Sequence, residues 1–234
     1  MRNKDNEKVV ILIPSFEPDQ ILLSYINQLI THDFHHIIVV DDGSSPKYQV
    51  IFNQLKTYGC TVLHHPKNLG KGCALKTGLH YIKKHYRSLF TIITVDADGQ
   101  HAIEDVIRMS AFSKEHPYSL TLGTRHFRIS HTPFKSLIGN KFASFIFYLL
   151  YGKYLTDTQT GLRAFNISLL DFMLDVEGDR FEYEIQMLIA CIQANIPICT
   201  LPIRVIYKDA NKGTHFKPFC DSLRIINTLL THII

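Results

Sequence analysis

The sequence predicts an α/β fold, a single domain around a mostly parallel central sheet. Three observations carry this. Short, unbroken runs of apolar and β-branched residues recur along the first half of the chain. The segments between them place apolar residues at helical spacing. A strand buried on both faces reads as such a run, and strands alternating with helices imply right-handed crossovers and a parallel sheet. Lastly, three runs stop in polar or acidic turns, at Pro14-Ser15-Phe16-Glu17, Asp41-Asp42-Gly43-Ser44 and Asp96-Ala97-Asp98. Ligands of parallel sheets bind beyond the carboxyl ends of the strands, so this edge is the predicted site.

Taken in order, Val9 to Ile13 is a strand stopped by Pro14, and Asp19 to Ile30 is a helix with apolar residues at 22, 25, 26, 29 and 30. Ile37 to Val40 is a second strand, Thr61 to Leu63 a short third, and Lys71 to Tyr86 a helix. Phe90 to Val95 is another strand, and a helix is expected to begin near Ala102. Ser119 to Gly123 reads as a strand leading into Thr124-Arg125. Phe134 to Tyr151 is a long, aromatic-rich helical stretch, Arg180 to Ala194 a helix, and Ile198 to Tyr207 a strand. Leu223, Ile226, Leu230 and Ile233 repeat at helical spacing on a last amphipathic segment. No internal repeat or linker breaks the chain.

A chain of 234 residues buries most of its apolar surface without needing a disulfide or structural metal. Its net charge of +4 suits anionic small molecules or an anionic membrane surface. No basic run is dense enough for nucleic acid, which is excluded as a partner. The cysteines, Cys60, Cys73, Cys191, Cys199 and Cys220, are odd in number and lack metal-ligand spacing. With no signal peptide recognised before the first strand, they point to buried thiols in a reducing, cytoplasmic setting. No apolar run reaches the ~18 residues needed to span a bilayer.

Asp96 and Asp98 flank one small residue directly after a strand, where alternation points both carboxylates the same way. Such a pair is held apart in charge unless a cation sits between them. Mg2+ or Mn2+ fits, because either ion accepts one or two carboxylates and completes its shell with water and substrate phosphates. The competing account makes Asp98-Gly99 a turn and Asp96 the cap of the following helix. Asp41 and Asp42 end the second strand, where a carboxylate could accept from a base N–H or a ribose hydroxyl; Gly43 and Ser44 also suit a plain turn. Asn68-Leu69-Gly70-Lys71-Gly72 opens a helix with two glycines and a lysine, a place that favours phosphate, although it is not a P-loop. The paired histidines His35-His36 and His64-His65 are expected to be solvated at strand and loop edges, and only His101, beside Gln100, lies near the proposed site.

In this order the segments resemble family 2 glycosyltransferases. The closer likeness is to the branch that loads a sugar onto a polyprenyl phosphate, such as dolichyl-phosphate mannose synthase and bacterial undecaprenyl-phosphate glycosyltransferases. The matching text is Ile13 to Pro18, Val39 to Ser44, Asn68 to Gly78, Asp96 to His101, Gly123-Thr124-Arg125 and Asp157 to Phe165. The resemblance implies one nucleotide-binding, Rossmann-like glycosyltransferase domain over residues 1–234. Within it, about 8–125 would bind nucleotide and metal, about 126–215 the acceptor, and 216–234 would form the amphipathic helix. Pro14, Glu17 and Asp42 would lie around the base and ribose, with Ser15 and Asp41 beside them and Lys71 near the nucleotide. Asp96, Asp98 and Gln100 would surround the metal and diphosphate. Arg125 and Asp157 would flank the sugar and acceptor pocket, and Arg204 would reach the phosphates. Phe16 stands where many members have tyrosine followed by asparagine, and many relatives carry transmembrane helices after the catalytic domain.

The reaction implied is an inverting displacement at the anomeric carbon, with a nucleotide sugar, UDP-linked by likeness to the bacterial branch, as donor. A lipid-phosphate acceptor needs no strong base; a saccharide hydroxyl would need one, and Asp157 is the available carboxylate. Aromatics interleaved with Lys135, Lys141 and Lys153 suit a helix lying in a membrane interface, as well as an ordinary core helix. The expected setting is therefore peripheral, on the inner face of the cell membrane in envelope biosynthesis, with a membrane protein as a further partner. A saccharide-hydroxyl transferase and a catalytically silent nucleotide-binding subunit are the alternatives. A nucleotidyltransferase fits less well, since the glycine-rich basic loop after its first strand is missing.

Overall fold

The computed structural model describes residues 6–86, 91–125, 144, 147–149 and 151–204. Within them, β1 (Val9–Ser15), α1 (Ile21–Thr31), β2 (His36–Asp41), α2 (Gln49–Thr57), β3 (Thr61–His64), α3 (Lys71–His85), β4 (Thr91–Thr94) and α4 (Ile103–Glu115) come first. They are followed by β5 (Leu120–Arg125), β6 (Arg163–Asn166), α5 (Leu170–Asp175), α6 (Glu182–Gln193) and β7 (Ile198–Ile203). The seven strands form one sheet in the order β3-β2-β1-β4-β6-β5-β7. Strand β6 runs antiparallel to both its neighbours, β4 and β5, and the other pairings are parallel. The expected α/β fold with a mostly parallel sheet is therefore present.

Both faces of the sheet are covered. In β1, Val10 and Leu12 pack with Leu75, Leu79 and Ile82 of α3 and with the buried face of α6. Val9, Ile11 and Ile13 pack on the opposite side with Leu22, Ile26 and Leu29 of α1, Phe52 of α2 and Val106 of α4. The side chains of an extended strand alternate sides, so an unbroken apolar run is what two covered faces require.

Three elements escape the sequence reading: α2, β6 and α5. Helix α2 has only Ile51, Phe52 and Leu55 buried, too few for a clear period. Strand β6 is four residues long and opens with an arginine. The strand expected over 198–207 is assigned over Ile198–Ile203, and residues from 205 onward, including the proposed last helix, lie outside the described residues. Most of the stretch expected to be helical over 134–151 also lies outside them. Ser144, Phe147, Tyr148, Leu149 and Tyr151 have helical backbone, and Phe147 is buried while Tyr148 and Leu149 are exposed. Among the described residues, no helix is long and apolar enough to cross a membrane.

With β6 reversed, the amino end of β6 shares an edge with the carboxyl ends of the other six strands. That edge gathers Ser15, Asp41, Asp96, Arg125, Arg204 and the loop ahead of Arg163.

Helix α3 lies close to the sheet because Gly78 faces β1, where a Cβ would overlap the fully buried Leu12 side chain. Alanine gains about 1 kcal/mol in helix propensity over glycine, but forcing a methyl into a filled core costs about 1–3 kcal/mol. Gly78→Ala is thus expected to destabilise the protein by about 1 kcal/mol, read as a lower urea midpoint with unchanged slope. A midpoint at or above wild type would show that α3 moves freely on the sheet.

Candidate active site

The first two strand ends are tied together. The backbone N–H of Glu17 donates to Ser44 Oγ at 2.8 Å, and Ser45 Oγ donates to Glu17 Oε1 at 3.2 Å. Glu17 holds a left-handed backbone, φ 48°, an unfavourable state for a non-glycine residue that survives only where its surroundings impose it. Pro14 lies within β1 next to Ser15, whose buried hydroxyl has no partner among the described residues. A buried donor of this kind at a ligand edge is a place for a ligand atom or an ordered water.

Asp41 and Asp42 are both buried, and their carboxylates organise loops. Asp41 accepts from Ser44 N at 2.8 Å, Gln49 Nε2 at 3.1 Å, and is 3.0 Å from His64 Nδ1. Asp42 accepts from the N–H groups of Leu69 and Gly70, each at 2.8 Å, and lies 2.8 Å from His65 Nδ1. The other nitrogen of His65 is 2.9 Å from Thr77 Oγ1 on α3. His65 is therefore a buried structural link, which corrects the expectation of a solvated edge position.

The glycines at the start of α3, Gly70 just ahead of it and Gly72 in its first turn, serve close packing. A Cβ at Gly70 or Gly72 would overlap the backbone of residues 178–179, and Cys73 N donates to Asp179 O at 2.9 Å. The N–H groups of Leu69, Gly70 and Cys73 are thus engaged by protein, and it is the Lys71 side chain that reaches the site. Its Nζ lies 2.7 Å from Asp96 Oδ1 and 2.9 Å from Glu184 Oε2. Burial alone would pull the ammonium down, but the two carboxylates outweigh it and hold its pKa above the ordinary lysine value.

Asp96 follows β4. Burial would push its carboxyl up, yet Lys71 and His101, whose Nε2 is 3.4 Å from Oδ2, hold it well below the usual range. Asp98 behaves oppositely: burial and the neighbouring Asp96 raise its pKa. Its Oδ1 accepts the Gln100 N–H at 3.0 Å, and Gly99 has φ 67°, so Asp98-Gly99 does form a turn. Asp96 caps nothing, because the residue capping α4 is Ala102 with no side-chain cap. Among the described residues no group of three histidine, cysteine or acidic side chains could hold a metal. Two carboxylates with raised mutual repulsion and an all-oxygen donor set nevertheless fit a hard cation that draws further oxygens from phosphates.

The third wall is the loop 157–161, which precedes β6. Asp157 is fully buried and paired in bidentate fashion with Arg125, at 2.6 Å from Nε and 2.9 Å from Nη2. Gly161 lies against Asp96, where a Cβ would overlap the carboxylate, and its carbonyl accepts from Thr94 Oγ1 at 2.9 Å. Arg163, fully buried, donates to Thr160 O at 3.0 Å, Thr158 O at 3.2 Å and Glu184 O. Burial lowers its pKa, and Glu184 and Asp157 oppose that. Arg204 is exposed just past β7; its N–H donates to Asp105 Oδ2 at 2.7 Å, which fixes the backbone beside Arg125.

The structure thus gathers Ser15, Glu17, Asp41, Asp42, Lys71, Asp96, Asp98, Gln100, Arg125 and Asp157 along one edge. Sequence reasoning missed Glu184, Arg163 and Gly161. The available signal was charge in an apolar context, since Arg163 sits in Leu162-Arg163-Ala164-Phe165 and Glu184 between Tyr183 and Ile185.

A sequence model described as Glycosyl transferase family 2 matches residues 11–174. The UDP-N-acetylglucosamine–dolichyl-phosphate N-acetylglucosaminyltransferase of Methanococcus voltae is 30% identical over 228 residues, covering 88% of this chain and 90% of the relative. The polyprenol monophosphomannose synthase of Mycolicibacterium smegmatis is 23% identical over 214 residues, 86% of this chain and 78% of its own. Among solved structures, glucosyl-3-phosphoglycerate synthase from Mycobacterium tuberculosis, in complex with Mn2+, UDP and glucosyl-3-phosphoglycerate, superposes with a TM-score of 0.72. At 15% identity, over 97% of this chain and 80% of that one, the likeness is one of fold. On its sequence match and its relative at 30% identity, the chain belongs to glycosyltransferase family 2 and is an enzyme that transfers sugars.

Proposed function

We propose that the enzyme transfers a sugar, with inversion, from a UDP-linked donor to a polyprenyl phosphate, using Mg2+ or Mn2+. The observation that carries the acceptor is the state of the carboxylates on its side of the site. Asp157 is buried against the Nε–Nη2 edge of Arg125, and Glu184 is held by Lys71. A hydroxyl acceptor must lose a proton to a base, and either carboxylate would first have to release a cation. A phosphate arrives already ionised, and guanidinium matches its geometry. The two relatives support the same choice, because their names carry different sugars but a dolichyl-phosphate or polyprenol-phosphate product or acceptor.

In this reading an acceptor phosphate oxygen attacks the anomeric carbon from the face opposite the diphosphate. The bond from that carbon to the diphosphate oxygen breaks, and its electron pair leaves with the diphosphate. Pro14, Ser15 and Glu17 border the nucleoside, while Asp41 and Asp42 act through the loops they fix. Lys71 brings positive charge beside the diphosphate. Arg125, oriented by Asp157, and Arg204 orient the acceptor phosphate. Asp96 and Asp98, with Gln100 beside them, would hold the divalent cation, which when bound neutralises charge developing on the leaving diphosphate. Tyr148, Leu149 and Tyr154 are exposed and bordered by Lys153, which supports peripheral contact with the inner face of a membrane, where a polyprenyl chain is reached.

The direct test is transfer of radiolabelled sugar from UDP-glucose, UDP-N-acetylglucosamine and GDP-mannose to undecaprenyl phosphate, with and without Mn2+. Metal-dependent lipid product from a UDP sugar is expected; transfer only to saccharide hydroxyls would refute the acceptor. Gly161→Ala, which drives a methyl into Asp96, should lower transfer by about 100-fold, the scale of a 1 Å misplacement. An unchanged rate would separate the loop 157–161 from the chemistry.

Asp98→Asn should abolish metal-dependent transfer and yet stabilise the metal-free protein. The folded state raises the pKa of Asp98, so at neutral pH it disfavours the charge that the unfolded chain carries freely. Removing that charge is expected to raise the Tm by about 2 °C at pH 7. The gain should disappear as the pH falls below the ordinary aspartate value, where both states are protonated. A lower Tm for the variant at pH 7 would contradict the sign.

A further inference from the structure

Lys71 occupies ground that a divalent ion would contest. Its ammonium bridges Asp96 Oδ1 at 2.7 Å and Glu184 Oε2 at 2.9 Å, with a side chain only 15% exposed. Glu184, 7% exposed, is in turn backed by Arg163, with Nε 4.0 Å from Oε1. No step of the transfer described above uses Glu184. Two cations sharing one carboxylate repel, and partial burial leaves that repulsion poorly screened.

We propose that Lys71 is a resident counter-cation of the donor site. It neutralises Asp96 while the site is empty, keeps divalent-ion affinity low until a diphosphate arrives, and is retained by Glu184 when Asp96 turns to the ion. The inference rests on the reading that Asp96 and Asp98 hold the ion. A diphosphate relieves the conflict, because its oxygens accept from the ammonium and ligate the ion at the same time. Nucleotide and metal therefore bind with positive coupling, each raising the affinity of the other by one common factor. Glu184 is a positioning residue in this scheme, acting only through Lys71.

The experiment is Mn2+ binding to the full chain, followed by the electron paramagnetic resonance signal of free Mn2+, with and without UDP. Folding of each variant is checked by thermal melting. Wild type should bind Mn2+ weakly alone and at least about tenfold more tightly with UDP. Lys71→Met should tighten Mn2+ binding in the absence of UDP by about tenfold, weaken UDP binding and shrink the coupling. Lys71→Arg, which keeps the charge, should restore wild-type behaviour. Glu184→Gln should weaken Mn2+ binding, because Lys71 is then left to Asp96 alone. If Lys71→Met binds Mn2+ no more tightly than wild type, the inference is overturned. Should that variant not fold, unchanged or tighter Mn2+ binding by Glu184→Gln overturns it instead. Asp98→Asn separates the two levels: Mn2+ binding that survives this change, or no Mn2+ bound by wild type even with UDP, removes the ion site itself.

Discussion

A buried guanidinium must find all its acceptors inside the protein, and the second half of this fold is arranged around that demand. Arg163 has almost no contact with solvent, so its donors turn to the carbonyls of Thr158, Thr160 and Glu184. An unmatched donor there would carry the full desolvation penalty, so these contacts are effectively obligatory. They draw the loop ahead of β6 and the start of α6 to one point beneath the site. Asp157 is delivered to Arg125 at one end of that loop and Gly161 to Asp96 at the other. Glu184 is held on the far side, where it meets Lys71. One side chain thus links the Asp96 turn with the Arg125–Asp157 ion pair, although it touches neither.

The paired aspartates show how one residue type meets different needs at neighbouring strand ends. Asp41 and Asp42 are surrounded by N–H groups and histidines, so their charge is consumed in shaping turns. Asp96 and Asp98 have fewer donors, and their pKa values move in opposite directions: Lys71 and His101 overcome burial to pull Asp96 down, while burial and the Asp96 charge push Asp98 up. Perturbed carboxylates of this kind gather at functional sites. Position at a strand end was thus a weaker guide than the supply of local hydrogen-bond donors, which only the folded chain reveals.

The parallel part of the fold was legible because its physics is local. Val9 to Ile13 and Ile37 to Val40 announce burial on both faces, and the acids that follow them mark the edge where the carboxyl ends of the strands gather. Elements that depend on distant partners were silent. Strand β6 carries an arginine where an apolar residue would be expected, and its pairing with β4 is set by tertiary contact. The role of Glu184 was hidden because a helical pattern reports which face is buried but not which charge waits opposite. The two glycines at the start of α3 were visible, but their reason was not: they admit the backbone of residues 178–179, and only the Lys71 side chain between them projects to the site.

The reversed strand has a consequence for the order in which the chain assembles. During synthesis from the amino terminus, β1 to β4 can pair as soon as residue 94 has emerged, and the Asp96 turn follows directly. Strand β4 gains its outer neighbour only when the chain has reached Asn166, and β5 must wait for β6 and β7 to be flanked on both sides. Contacts so distant in sequence are slow to form, because loop closure precedes any reward. A nascent chain therefore presents the four paired strands β3-β2-β1-β4 with the edge of β4 uncovered. That edge is the part of the molecule most exposed to wrong partners before release.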